Sequence, residues 1–227
     1  MSKVREYARL VADRKACRQC VSSTNPARVH GGRHDSDQIG PWSLWQGNLD
    51  ASLMVVGQDW GDEGYFVRGR GRDGSRNPTN LALAELAGIA GVSIGDPDSR
   101  EGRDAAFFTI AILCLKDASG GLQGTVQSLW FDNCAAFLRR QVEIVRPSVV
   151  VGLGERAYRA LLASFNLKAE GFRAAVEAPE GAELNADTRA FAAYHCGARI
   201  RNTHRPMAEQ RDDRRRIRPF VTDSRRA

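Results

Sequence analysis

The chain has 227 residues, 42% of them hydrophobic, and a formal charge of +6. That is long enough to bury one α/β core, and no apolar run nears the ~18 residues that a membrane span needs. Met1-Ser2-Lys3-Val4-Arg5 lacks an apolar leader stretch, so a cytoplasmic protein without a membrane partner is expected. The excess charge is local: residues 198–227 hold ten arginines against Glu209, Asp212, Asp213 and Asp223. Such a tail suits a polyanionic partner, or is simply a solvated basic helix.

Residues Lys3 to Lys15 repeat apolar side chains at helical spacing and lead into Cys17-Arg-Gln-Cys20. Ser22 to Gly40 is polar and reads as an irregular surface segment. Four short apolar runs, Leu53 to Val56, Ala106 to Leu113, Val149 to Leu153 and Ala190 to Tyr194, have the pattern of buried parallel strands. Helical patterns lie between them: one capped by Thr79 and running through Gly88, one from Asp132 through Val145, and one after Gly154. Pro147 stands where a helix gives way to a strand, and Gly171 to Thr188 reads as a loose insertion. The alternation predicts one domain over residues 1–227. Its fold is a three-layer α/β/α sandwich on a central, mostly parallel four-stranded sheet, with a cysteine-bearing amino-terminal segment and a basic carboxyl-terminal helix or tail.

Ligands of such sheets bind beyond the carboxyl ends of the strands. Gly57-Gln-Asp-Trp-Gly-Asp62 follows the first strand, Cys114 the second, Gly152-Leu-Gly154 the third and His195 the fourth, all on one edge. A turn alone needs the glycines but not an amide and two carboxylates. Asp59 is therefore a candidate functional carboxylate, with a turn-forming side chain as the plainer alternative; a satisfied strand-end histidine is the plainer alternative for His195.

Five cysteines in a cytoplasmic chain point to metal ligation or burial rather than disulfides. Cys17-x-x-Cys20 can grip a metal from one turn, and Cys114 and Cys134 could complete the set. Four thiolates suit either zinc or an iron-sulfur cluster, and spacing does not choose between them. Cys114 and Cys134 could equally be small core residues. Cys196, beside His195, fits the set less well.

Taken together, Cys17-x-x-Cys20, Val55-Val-Gly-Gln-Asp-Trp-Gly61, Ile112-Leu-Cys-Leu-Lys116, Cys134-Ala-Ala-Phe-Leu138, Arg146-Pro-Ser-Val-Val-Val-Gly-Leu-Gly154 and Tyr194-His-Cys-Gly197 resemble the uracil-DNA glycosylase superfamily. The likeness runs from Cys17 to about Phe220 and is strongest to the iron-sulfur branch of the family 4 type. It implies a four-iron, four-sulfur cluster on Cys17, Cys20, Cys114 and Cys134, with zinc as the alternative. It also implies a monomeric, monofunctional enzyme that takes a deaminated base such as uracil out of DNA.

Gly-Gln-Asp is similar to the water-activating motif of the family 1 enzymes. On that likeness Asp59 steers water at the sugar, His195 donates to the departing base, Gln58 and Gly57 hold the base, and Phe66 stacks on it, with Tyr65 second. The motifs offer no lysine that argues for an amine nucleophile. Arg201, Asn202, His204 and Arg205 stand where relatives carry a loop that enters the duplex; a helix-capping turn is the alternative for Thr203 to Pro206. One position departs from the pattern. Where many relatives read uracil with an asparagine, this chain has Ile110, which offers neither donor nor acceptor. Weak uracil excision, preference for another base, or a DNA-binding protein with little activity would all be compatible with that change, as would an isoleucine that merely fills the core.

Overall fold

The computed structural model describes residues 2–39, 48–74, 77–94, 106–117 and 125–221. Its central sheet has the strand order β3 (Ala106–Ile112), β2 (Leu53–Asp59), β5 (Val149–Leu153), β7 (Arg189–Ala193), β6 (Ala182–Glu183). The four expected strands, β2, β3, β5 and β7, are parallel, and their register puts Leu53 beside both Ala106 and Val149. A fifth strand was not foreseen. β6 (Ala182–Glu183) pairs antiparallel with β7, and the segment expected to be loose also forms helix α6 (Phe172–Glu177). Ala175 and Val176 of α6 are buried, which explains why the segment holds a fixed place.

Alternate residues of each strand face opposite ways. Met54, Val56, Phe107 and Val150 pack under α1 (Lys3–Ala16), α4 (Ser128–Val145) and α5 (Glu155–Ser164). Leu53, Val55, Phe108 and Val151 pack under α3 (Pro78–Ile89) and Ile217 of α8 (Met207–Ile217). Three layers follow directly. Leu10, Leu138, Val142 and Leu161 are essentially inaccessible, and burying such a side chain contributes about 1.5–3 kcal/mol.

Helix boundaries follow local chemistry. Asn77, rather than Thr79, caps α3 by accepting from the Thr79 amide at 2.9 Å, with Pro78 in the first turn where its missing N–H costs nothing. α4 begins at Ser128, before Asp132, and ends at Arg146 in the left-handed region (φ 55°), after which Pro147 prevents continuation. Residues 23–35 are more ordered than expected. β1 (Ser23–Thr24) pairs antiparallel with β4 (Leu115–Lys116), Val29 is buried, and Asp35 binds the buried Arg14 guanidinium at 2.7 Å. Among the described residues no helix is long and apolar enough to cross a membrane.

Candidate active site

β2 runs three residues beyond its apolar core, so Gly57, Gln58 and Asp59 belong to the strand. Gly57 lies in register with Ile110 on β3, and a Cβ at Gly57 would come within 3.4 Å of the Ile110 side chain. Ile110 is buried and forms the wall behind Gly57. The two carboxylates of the motif have separate tasks. Asp62 is buried and caps α2 (Glu63–Arg68) by accepting from the Tyr65 amide at 2.6 Å. Asp59 meets the Lys116 ammonium, Nζ to Oδ1, at 2.9 Å, while Gln58 Nε2 donates to Asp59 Oδ2 at 2.7 Å. The Asp59 and Lys116 side chains are only 8% and 6% exposed.

Lys116 escaped the sequence reading, although it lies inside a motif used there. Its backbone explains the placement. Lys116 N donates to Gly61 O at 3.0 Å, a bridge joins it to Asp62, and its strand β4 pairs with β1. The residue two places beyond Cys114 is thus sewn to the loop that follows Asp59.

Across the edge, β7 ends at Ala193 and His195 begins the turn into α7 (Ala198–Thr203). The Gly197 amide donates to His195 Nδ1 at 3.0 Å. In the neutral ring this leaves the proton on Nε2, which becomes a donor. The ring lies so close over Gly197 that a Cβ there would sit 2.9 Å from Nδ1 and 3.6 Å from Thr79 Oγ1. Desolvation lowers the His195 pKa, and the Asp59 carboxylate opposes it by favouring the charged ring. His195 is exposed to solvent. Cys196 is buried instead, directs its thiol at Thr79 O at 3.5 Å, and ties α3 to this turn. Burial pushes that thiol up to about 11.

Two expected roles do not survive the packing. Phe66 is wholly buried, its ring edge-on to Trp60 and His34, so it has no open face for a base. Tyr65 is half-buried, packs against Trp60, and gives its hydroxyl to Asp73. Arg205 is taken up by acids: it forms a forked pair with Asp213 at 2.7 and 3.1 Å, meets Glu209 at 2.7 Å, and lies over the Tyr194 ring. An internal anchor of this kind has little left for an outside phosphate. Asn202, in the last turn of α7, and His204, just after it, are exposed, and Arg201 is half-buried.

The remaining cysteines gather apart from His195. Burial pushes the Cys114 thiol up to about 11, with Cys20 and Cys17 adding to the effect. Burial pushes Cys134 up to about 12, with Cys114, Cys20 and Cys17 adding to it. Cys17, Cys20, Cys114 and Cys134 thus lie within electrostatic reach of one another. Asn133 Nδ2 also donates to Cys20 Sγ at 3.3 Å, linking the amino-terminal pair to α4. Among the described residues no three His, Cys, Asp or Glu side chains stand at metal-gripping distance. Four thiols are nonetheless the donor type that zinc and iron-sulfur centres take.

A carboxylate and an imidazole N–H therefore both stand at the carboxyl edge of the parallel sheet, Asp59 at the end of β2 and His195 past the end of β7. The family model of the uracil DNA glycosylase superfamily matches residues 44–218. A protein of Pyrobaculum aerophilum, described as a type-5 uracil-DNA glycosylase, is 32% identical over 178 residues, which cover 74% of either chain. The chain belongs to the uracil-DNA glycosylase superfamily.

Proposed function

We propose that this protein is a monofunctional, monomeric DNA glycosylase of the cytoplasm, one domain throughout, that extrudes a deaminated base, uracil first, and hydrolyses its N-glycosidic bond. The observation that carries the reading is the placement of Asp59 and His195 at the same carboxyl edge of the parallel sheet, at the end of β2 and just past the end of β7. As the bond breaks, the sugar gains positive charge and the base negative charge. Asp59 favours the first and orients water at the anomeric carbon; His195 Nε2–H donates to a carbonyl oxygen of the base. Because the ring is neutral, its proton is offered without carrying a full charge to the site. Gln58 and the Gly57 main chain border the base, and Tyr65 is the aromatic ring available for stacking.

Cys17, Cys20, Cys114 and Cys134 would hold a four-iron, four-sulfur cluster, or zinc as the alternative. When bound, such a centre supplies a structural brace. The chain's own residues carry that brace toward the site: Cys114 precedes β4, and β4 delivers Lys116 to Asp59.

DNA contact is assigned to the exposed Asn202 and His204, with Arg201 beside them, and to Arg68, Arg70 and Arg72. These last three are exposed. Gly69, Arg70, Arg72, Asp73 and Gly74 line a groove of about 550 Å³. The groove adjoins the site, because Asp73 accepts from both Tyr65 and the Asn77 cap of α3.

A second reading, a DNA-binding protein with little activity, is favoured by Ile110, whose side chain cannot read a base edge, and by the occupation of both Asp59 oxygens. Single- and double-stranded oligonucleotides carrying uracil, hypoxanthine or xanthine, incubated with the protein and cleaved with alkali, decide between the two. Release from at least one substrate is expected, lowered by Asp59→Asn ~10²–10³-fold, the scale for losing one charge-stabilising group. Binding without release, or release indifferent to Asp59→Asn, would overturn the enzyme reading.

A further inference from the structure

We infer that Lys116 is a positioning residue for base excision, fixing the Asp59 carboxylate in its working orientation; the inference rests on the glycosylase reading above. A strand-end aspartate has freedom about two side-chain torsions, and a carboxylate that must aim one oxygen at a water cannot use that freedom. Here Oδ1 is bound by Lys116 at 2.9 Å and Oδ2 by Gln58 at 2.7 Å. Two contacts on two oxygens set the carboxylate plane. A carboxylate has about four acceptor directions, so a fixed part of its acceptor capacity stays open for water.

The backbone of the lysine is held on two sides: by the bridge to Asp62, of which the bond from its amide to Gly61 O is part, and by the β1–β4 pairing. Gly61 and Asp62 follow Asp59 in the chain. The ion pair therefore closes a short loop of contacts, Asp59 through Gly61 to Lys116 and back, in which neither partner can shift without the other. A solvent-exposed ion pair would not hold orientation this way, because water competes for both ends. With both side chains under a tenth exposed, competition is weak.

Lys116 could instead attack the sugar as an amine. The geometry speaks against this, since an ammonium bound to a carboxylate offers no lone pair. The two roles differ in product: an amine would form a covalent imine with the abasic sugar, reducible by borohydride.

The test uses full-length wild type, Lys116→Met, Lys116→Arg, Asp59→Asn and the Asp59→Asn/Lys116→Met double variant. Single-turnover base release, affinity for the same duplex and thermal unfolding are measured for each. Lys116→Met is expected to slow release ~10²-fold while changing duplex affinity less than about threefold, the pattern of an interaction used in the transition state. Lys116→Arg, which keeps the charge, should recover most of the rate. In the Asp59→Asn background Lys116→Met should add almost nothing, because the two residues act as one unit. Full additivity, an affinity loss equal to the rate loss, an inactive Lys116→Arg, or borohydride trapping that requires Lys116 would each overturn the inference. Should wild type release no base, the glycosylase reading fails on its own. The pair is then judged by unfolding, where additive melting shifts of the two single variants reject the Lys116–Asp59 link. Poor folding of Lys116→Met leaves Lys116→Arg and the unfolding cycle to decide.

Discussion

On the β2 side of the sheet's carboxyl edge the Asp59 carboxylate is held at both oxygens and almost closed to water. On the β7 side the His195 ring is open to solvent and held by one backbone N–H, from Gly197. The difference matches what each group has to do. A full charge in a fixed direction needs a partner that prevents it from turning toward solvent, so burial and an opposite charge suit Asp59. A neutral donor needs only the right tautomer and access to its acceptor, so a single amide at Nδ1 suits His195. The first wall is set by tertiary pairing between distant segments, the second by three consecutive residues.

Gly197→Ala probes the second wall with the largest expected effect. Gly197 has φ −66° and ψ 154°, which alanine adopts without strain, so the change acts only through its methyl group. That methyl would stand 2.9 Å from His195 Nδ1, and the ring must swing away from the Gly197 amide. Base release should fall ~10²-fold with little change in melting temperature, in keeping with the loss of one preorganised donor. A matching loss of stability would mean that the glycine serves the fold rather than the ring.

A smaller effect comes from pH. His195 has its pKa lowered from the ordinary 6.5, mainly by desolvation. Below 6.5 the unfolded chain takes up a proton that the native ring resists, so native stability falls as pH drops from 6.5 toward the lowered value and levels off beneath it. Protonation would also turn Nδ1 into a donor facing the Gly197 N–H. Activity should therefore hold through pH 6.5 and decline only in more acid solution, and His195→Gln should remove the corresponding part of the acid destabilisation. A half-loss of activity above pH 6.5, or the same acid slope in His195→Gln, would contradict the neutral-donor assignment.

The same contrast explains what could be read in the sequence. The strands, the layers and the shared edge were legible because apolar runs and helical spacing record burial directly. β2 was read as ending at Val56 and in fact continues to Asp59, since Gly57 and Gln58 lack the apolar signature while the ladder to β3 carries on. His195 and Gly197 were close enough in sequence to suggest each other. Lys116 was not, because its meaning comes from a 2.9 Å approach to a residue 57 positions away. Phe66 and Arg205 misled for a related reason. An aromatic beside a motif and an arginine in a basic tail look available until packing and carboxylates claim them.

The basic tail supplies the smallest of the expected effects. Arg211 pairs with Glu85, Arg215 with Asp212 and Arg216 with Asp213, while Arg214 is buried. Charge that is already balanced displaces few counterions from a duplex, whereas Arg70 and Arg72 stand exposed on the groove beside Tyr65 and α3. Each phosphate contact contributes roughly −0.9 to the slope of log affinity against log salt. Arg70→Ala and Arg72→Ala should therefore each flatten that slope by ~1 and weaken duplex binding alike for damaged and undamaged DNA. Arg215→Ala and Arg216→Ala should leave it nearly unchanged. If instead the helix variants flatten the slope and the loop variants do not, the duplex runs along α8, its internal ion pairs open on contact, and the groove at Arg70 and Arg72 has another use.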